Sequence, residues 1–358
     1  MPLLLDTAQS ASIHAVRGAS CVNIGLVNNM PDPALEATER QFSDLIRAGS
    51  RDTVVRLLLF AIPEVPRSDA ARRDMAGRYR DIAELWDTQL DGLIVTGNEP
   101  KSKNLKDEPY WPALSQVVDW ARANTYSTIW SCLAAHASVL ASDGIERRPF
   151  DQKLSGMFTC AAAETHPMMR GVRLPMNIPH SRNNDLPEQD LKAAGYRILT
   201  RAPTAGVDAF ARQEGSFHLF FQGHPEYEPT SLLREYRRDI GRFLRGERDD
   251  YPAAPQNYFD TEAAAWAEAF RERALAERHG DLIKSFPVRA LEAGLEAGGE
   301  TGLGGAWRAA ASAIYENWFE YLKGRKAEQS SPLSLMRRAW RDWPHVGARL
   351  AADPAAVR

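Results

Sequence analysis

Four short apolar runs, at residues 22–27, 53–60, 90–97 and 125–132, leave this chain few ways to fold. Each is of strand length and apolar at both alternating sets of positions, the pattern of strands buried on two faces. Between them lie segments of helical periodicity. After a turn at residues 28–33, Leu35, Thr38, Phe42, Leu45 and Ile46 recur at helical spacing, residues 67–88 read as helical, and residues 111–123 read as a helix. Strands that alternate with helices pair in parallel through right-handed crossovers, so the expected fold class is α/β, a doubly wound and mostly parallel sheet. From 153 to 165 and from 196 to 210 the runs shorten, which predicts a mixed or antiparallel extension built from shorter strands.

The fourth run stops at Cys132 and passes into the alanine-rich Leu133-Ala134-Ala135-His136. Such a strand-to-helix turn holds a thiol at the carboxyl edge of a sheet, where a helix amino terminus favours the thiolate. A second apolar stretch, Leu219-Phe220-Phe221, leads into Gly223-His224-Pro225-Glu226. Ligands of doubly wound sheets bind in the crevice at the carboxyl ends of the strands. Cys132 as nucleophile, His224 as base and Glu226 as the partner orienting that base would supply three interdependent roles there. Backbone N–H groups of Leu133 and Gly97 are candidates for stabilising a tetrahedral oxyanion. A cysteine at the end of an apolar strand is, taken alone, more often an inert buried residue; the paired placement of cysteine and histidine at strand ends is what points to a site. Cys21 and Cys160 read as structural, and His136, His180 and His218 as packing residues.

At 358 residues the chain can bury a large core, and its net charge of −3 gives no electrostatic case for nucleic acid or an anionic membrane as partner. No apolar run approaches the roughly 20 residues of a membrane span, and the first residues lack the layout of a signal peptide. The three cysteines show no metal-ligand spacing, so no metal is expected and a reducing cytoplasm is the simplest compartment. The expected organisation is an amino-terminal arm over residues 1–20, a catalytic domain over 21–260, a helical extension packed on the core over 261–326, and a polar tail over 327–358. Within it, 229–245, 261–278 and 308–323 read as helices, and 294–305 as a glycine-rich link.

A series of ordered segments resembles the homoserine O-succinyltransferase family, a branch of the class I glutamine amidotransferase-like fold. They include Asn29-Met30-Pro31, Thr38-Glu39-Arg40-Gln41-Phe42, Asp91-Gly92-Leu93-Ile94-Val95-Thr96-Gly97, Lys153-Leu154-Ser155-Gly156, Pro179-His180-Ser181-Arg182, Gly223-His224-Pro225-Glu226-Tyr227, Glu235-Tyr236-Arg237-Arg238-Asp239 and Asn257-Tyr258-Phe259. The resemblance implies transfer of an acyl group from acyl-CoA, through a thioester on Cys132, to the hydroxyl of homoserine in methionine biosynthesis. It implies small-molecule substrates, acyl-CoA as co-substrate and no bound cofactor, and it matches Lys153, Ser181 and Arg238 to substrate-contacting positions. A homodimer stays open beside a monomer. Where the family commonly has Trp and Gln after the cysteine, this chain has Leu133 and His136. Three alternatives therefore remain: a paralogue acting on another hydroxyl or amine, a glutamine-hydrolysing amidase, and a regulatory binding protein on the same scaffold. Lys101 falls where family members differ with their acyl donor; its ammonium could pair with the free carboxylate of a succinyl group, which predicts succinyl over acetyl.

Overall fold

The computed structural model describes residues 3–6, 21–296 and 306–330. Its strands are β1 Leu3–Asp6, β2 Cys21–Val27, β3 Val54–Phe60, β4 Tyr79–Arg80, β5 Gly92–Val95, β6 Ser127–Ser131, β7 Arg148–Ala162, β8 Met176–Asp185, β9 Arg197–Ala202, β10 Gly206–Glu214 and β11 Ser216–Phe221. Its α-helices are α1 Asp32–Ser50, α2 Asp69–Met75, α3 Ile82–Leu85, α4 Trp111–Asn124, α5 Leu133–Asp143, α6 Glu188–Ala193, α7 Ser231–Leu244, α8 Thr261–Ala276, α9 Val288–Glu296 and α10 Ala306–Ser330. The strands join in the order β1-β3-β2-β5-β6-β11-β10-β9-β7-β8, with β4 also paired to β3. From β1 to β11 neighbours run parallel; from β11 to β8 they run antiparallel.

The alternation within the runs accounts for the two layers. In β3, Val55, Leu57 and Leu59 enter a cluster with Phe42 and Ile46 of α1, Ile240 of α7 and Trp318 of α10. Leu58 and Phe60 point to the opposite cluster, with Val117 and Val118 of α4 and Leu140 of α5. Helices thus cover both faces, the arrangement a parallel sheet needs, and each fully buried leucine or phenylalanine contributes about 1.5–3 kcal/mol. Helix α10 is tied down by polar contacts as well: Trp318 Nε1 donates to Ser127 Oγ at 2.8 Å, and Lys326 Nζ meets Asp91 Oδ2 at 2.7 Å.

One register positions the site. In the parallel pair β6–β11, Ser131 lies opposite Phe221, so the chain leaves both strands at the same edge, toward Cys132 on one side and His224 on the other. Val95 pairs with Trp130 and with Val27, which brings Gly97 and the 28–33 turn to that edge too. There Asn29 donates to Thr96 through its backbone N–H, at 2.8 Å, and its side chain, at 3.2 Å.

Several expectations are corrected. Residues 67–88 are two short helices around a two-residue strand, because Gly77 turns the chain with φ +80° and Asp81 and Glu84 form a capping box that starts α3 afresh. Within the expected arm, Leu3–Asp6 pairs with β3, and Asp6 is buried against Arg56 and Arg80; residues 7–20 lie outside the described residues. Over 153–165 there is one long strand, the 15-residue β7, rather than short ones, whereas β9 and β10 over the second stretch are short and antiparallel as expected. The expected link at 294–305 begins inside α9, and its residues 297–305 lie outside the described residues. The last helix runs on to Ser330, so 327–330 are helical, while the rest of the expected tail, with Trp340 and Trp343, lies outside the described residues.

Candidate active site

Cys132 occupies the turn between β6 and α5 in a backbone conformation of φ 50° and ψ −113°, a region that non-glycine residues enter only when the surroundings enforce it. Here they do: its N–H donates to Phe221 O at 2.8 Å, and its carbonyl accepts from Ala135 N at 2.9 Å and His136 N at 3.3 Å. The thiol is half-buried and faces a cavity of about 1270 Å³ at the sheet edge.

His224 is fixed from three sides. Its N–H donates to Pro179 O at 2.8 Å, its ring stacks on Tyr227 with centroids 4.1 Å apart, and Nδ1 lies 2.8 Å from Glu226 Oε1. Glu226 Oε1 also accepts from Ser131 Oγ at 3.2 Å. The Nδ1 contact leaves Nε2 for Cys132, the other group whose charge acts on the ring. Burial alone would lower the imidazole, but the negative charges of a Cys132 thiolate and of Glu226 outweigh it and hold His224 well above its ordinary value. The three residues singled out as a triad therefore line one cavity, with His224 bonded to Glu226 and its Nε2 free of any protein hydrogen-bond partner among the described residues.

Gly97 and Leu133 meet as well. A Cβ on Gly97 would lie 2.4 Å from Leu133 Cβ and 3.0 Å from Leu133 N, and among the described residues neither N–H donates to a protein acceptor. Cys132 N–H, by contrast, is engaged in the sheet and unavailable.

Lys153, Ser181 and Arg238 converge on two carboxylates of α7. Lys153 Nζ reaches Asp239 at 2.9 Å and Glu235 at 3.2 Å, Arg238 Nε reaches Asp239 at 3.0 Å, and Ser181 and Tyr227 both donate to Glu235 through their hydroxyls. All of these line the same cavity as Cys132. Lys101 does not join them: it is exposed and outside the cavity lining, although its neighbours Glu99 and Pro100 are part of it. His136, read as a packing residue, is buried yet lines the cavity; burial above all drives its pKa down to about 3, so it stays neutral.

Behind the site, Cys160, His180 and Asp208 form a fully buried group with ligand atoms within 4.8 Å of one another. His180 Nδ1 accepts from Arg182 Nε at 3.3 Å, which places the ring proton on Nε2, 3.3 Å from Asp208 Oδ1. Both facing atoms are buried and neither makes a hydrogen bond among the described residues. The pair also fills the space beside Gly223, where a Cβ would sit 2.6 Å from Asp208 Oδ1.

The homoserine O-succinyltransferase family model matches residues 6–328. The chain belongs to that family. It is 52% identical to a homoserine O-succinyltransferase of Rhodopseudomonas palustris over 84% of this chain and 88% of that one, and 48% identical to one of Methylorubrum extorquens over 86% and 88%. A glutamine amidotransferase from Methylobacillus flagellatus superposes with a TM-score of 0.46 at 15% identity, covering 84% of this chain and 95% of that one. Against this family background, sequence reading gives no role to Glu235, Asp239 or Arg147. Glu235 and Asp239 carry a usable signal, since both lie one helical turn or less from Arg238 on α7. Arg147 carries none, because its approach to the site depends on how the chain returns after α5.

Proposed function

We propose that this chain transfers a succinyl group from succinyl-CoA to the hydroxyl of homoserine, in methionine biosynthesis, through a thioester on Cys132. Membership of the family makes it an acyltransferase; the observation that most supports the covalent route is the β6–β11 register, which delivers Cys132 and the His224–Glu226 pair to one cavity. In the first half-reaction the Cys132 thiolate attacks the thioester carbonyl of the donor, and the N–H groups of Gly97 and Leu133 receive the developing oxyanion. Collapse breaks the bond to CoA sulfur, which leaves with the proton held by His224. In the second half-reaction homoserine enters near Lys153, Ser181 and Arg238. His224, now neutral, takes the hydroxyl proton as that oxygen attacks the Cys132 thioester, and the proton remains on His224 as the thiolate is regenerated. Glu226 supports the imidazolium at both stages. No metal or bound cofactor takes part, and the cytoplasm is the natural setting; among the described residues no helix is long and apolar enough to cross a membrane.

Intact-protein mass spectrometry after mixing with succinyl-CoA alone should show one succinyl group on Cys132, lost on adding homoserine and absent from Cys132→Ala. Ammonia release from glutamine, with no acyl adduct, would replace this reading by the amidase.

A further inference from the structure

Most cations lining the cavity already have carboxylate partners. Lys153 and Arg238 hold Glu235 and Asp239, Arg242 grips Glu99 through bonds of 2.6 and 2.8 Å, Arg182 holds Asp185, and Arg271 holds Glu268. Arg147 is different. Its Nη2 donates to the carbonyls of Lys103 at 2.9 Å and Ser102 at 3.3 Å, and among the described residues it forms no ion pair. Two neutral acceptors leave a guanidinium with donors and charge to spare. Burial pulls its pKa down, opposed by the charges of Tyr110, Glu108 and Cys132. Arg248, the other cation of the lining without a carboxylate partner among the described residues, donates to Asp250 O at 2.7 Å. Buried His136 lines the same cavity with Nδ1 unpartnered.

A half-buried guanidinium that forms no ion pair among the described residues, and shares a cavity with an acyl-carrying thiol, fits an acyl chain ending in an anion. We propose that Arg147 receives the free carboxylate of the succinyl group and thereby selects the acyl donor, the part that sequence reading gave to Lys101. This rests on the acyl-transfer reading above. The two carbonyl contacts pin the guanidinium to the 98–104 loop, so it is held in place before substrate arrives and little side-chain entropy is lost on binding. The hydrocarbon stem of an acyl group without a terminal carboxylate gains nothing from Arg147.

The test compares succinyl-CoA with butyryl-CoA, which has the same chain length and no carboxylate. In Arg147→Ala, kcat/KM for succinyl-CoA should fall roughly 10- to 100-fold while that for butyryl-CoA changes by less than about threefold; Arg147→Lys, which keeps the charge, should recover part of the loss. Equal losses for both donors would mean that Arg147 only holds the loop, and the proposal falls. Calorimetric binding of both CoA esters to Cys132→Ala, with and without Arg147→Ala, reads the same contact without turnover. If no transfer to homoserine occurs but binding keeps an Arg147-dependent preference for the succinyl ester, the functional reading fails and this one stands; transfer with no such preference has the reverse meaning.

Discussion

Gly97 rests against Leu133 so closely that a Cβ on the glycine would lie 2.4 Å from the leucine Cβ. The contact joins the end of β5 to the first turn of α5 and holds two unused N–H groups side by side at Cys132. Gly97→Ala must therefore push the two segments apart. Overpacking of this kind costs about 1–3 kcal/mol, and displacing an oxyanion donor lowers kcat about 10²- to 10³-fold. A melting curve and a CoA-release assay would check the pair of effects; an active, stable alanine variant would remove Gly97 from the site.

Glu226 Oε1 accepts from both His224 and Ser131, so it fixes the tautomer of His224 as well as its charge. Glu226→Gln should lower kcat by about 10²–10⁴ while acylation of Cys132 stays detectable by mass spectrometry. Unchanged kinetics would make the carboxylate a packing group.

Arg238 is tied to Asp239 but lines the cavity with a side-chain accessibility of 39%, free to turn a second edge toward an amino-acid carboxylate. Arg238→Ala should raise the homoserine KM about 10- to 100-fold and leave the donor KM nearly unchanged. A shift confined to the donor would reverse the placement of the two substrates.

How much of this was legible in the sequence depends on where each contact comes from. The β2, β3, β5 and β6 strands announce themselves because both faces are apolar, and Cys132 and His224 follow from their places at strand ends. The long β7 was hidden by Asp151, Gln152 and Lys153, polar residues on a stretch of strand with little burial. Strand β1 was hidden by its four-residue length, since its pairing partner lies some fifty residues away. At the site, the spacing of Glu235 and Asp239 around Arg238 is legible on α7, but their contacts with Lys153 and Ser181 arise only when β7 and β8 carry those residues across to that helix, a crossing that no local pattern encodes.

Lys101 shows the same limit from the other side. Gapless counting put it at a donor-selecting position, but its side chain stands exposed outside the cavity lining. A solvated ammonium interacts weakly with a distant carboxylate, so Lys101→Ala should change the succinyl-to-acetyl ratio of kcat/KM by no more than about twofold. A larger fall in that ratio would return donor selection to Lys101.

Glu235 makes the site sensitive to acid. Burial works to raise its pKa, but Lys153, Arg238 and the hydroxyls of Ser181 and Tyr227 outweigh this and bring it to about 2, from an ordinary 4.5. A carboxylate whose folded pKa lies below its unfolded one contributes stability that is complete above the unfolded value and is lost as pH falls through the folded one. The window here runs from about pH 4.5 down to about 2, and the full contribution is on the order of 3 kcal/mol. In Glu235→Gln that contribution is gone at every pH. Urea unfolding should therefore find the variant less stable than the parent at pH 7, with the gap narrowing steadily between pH 4.5 and 3. Parallel stability curves across that range would show that the Glu235 charge is not what the surrounding Lys153, Ser181, Tyr227 and Arg238 hold in place.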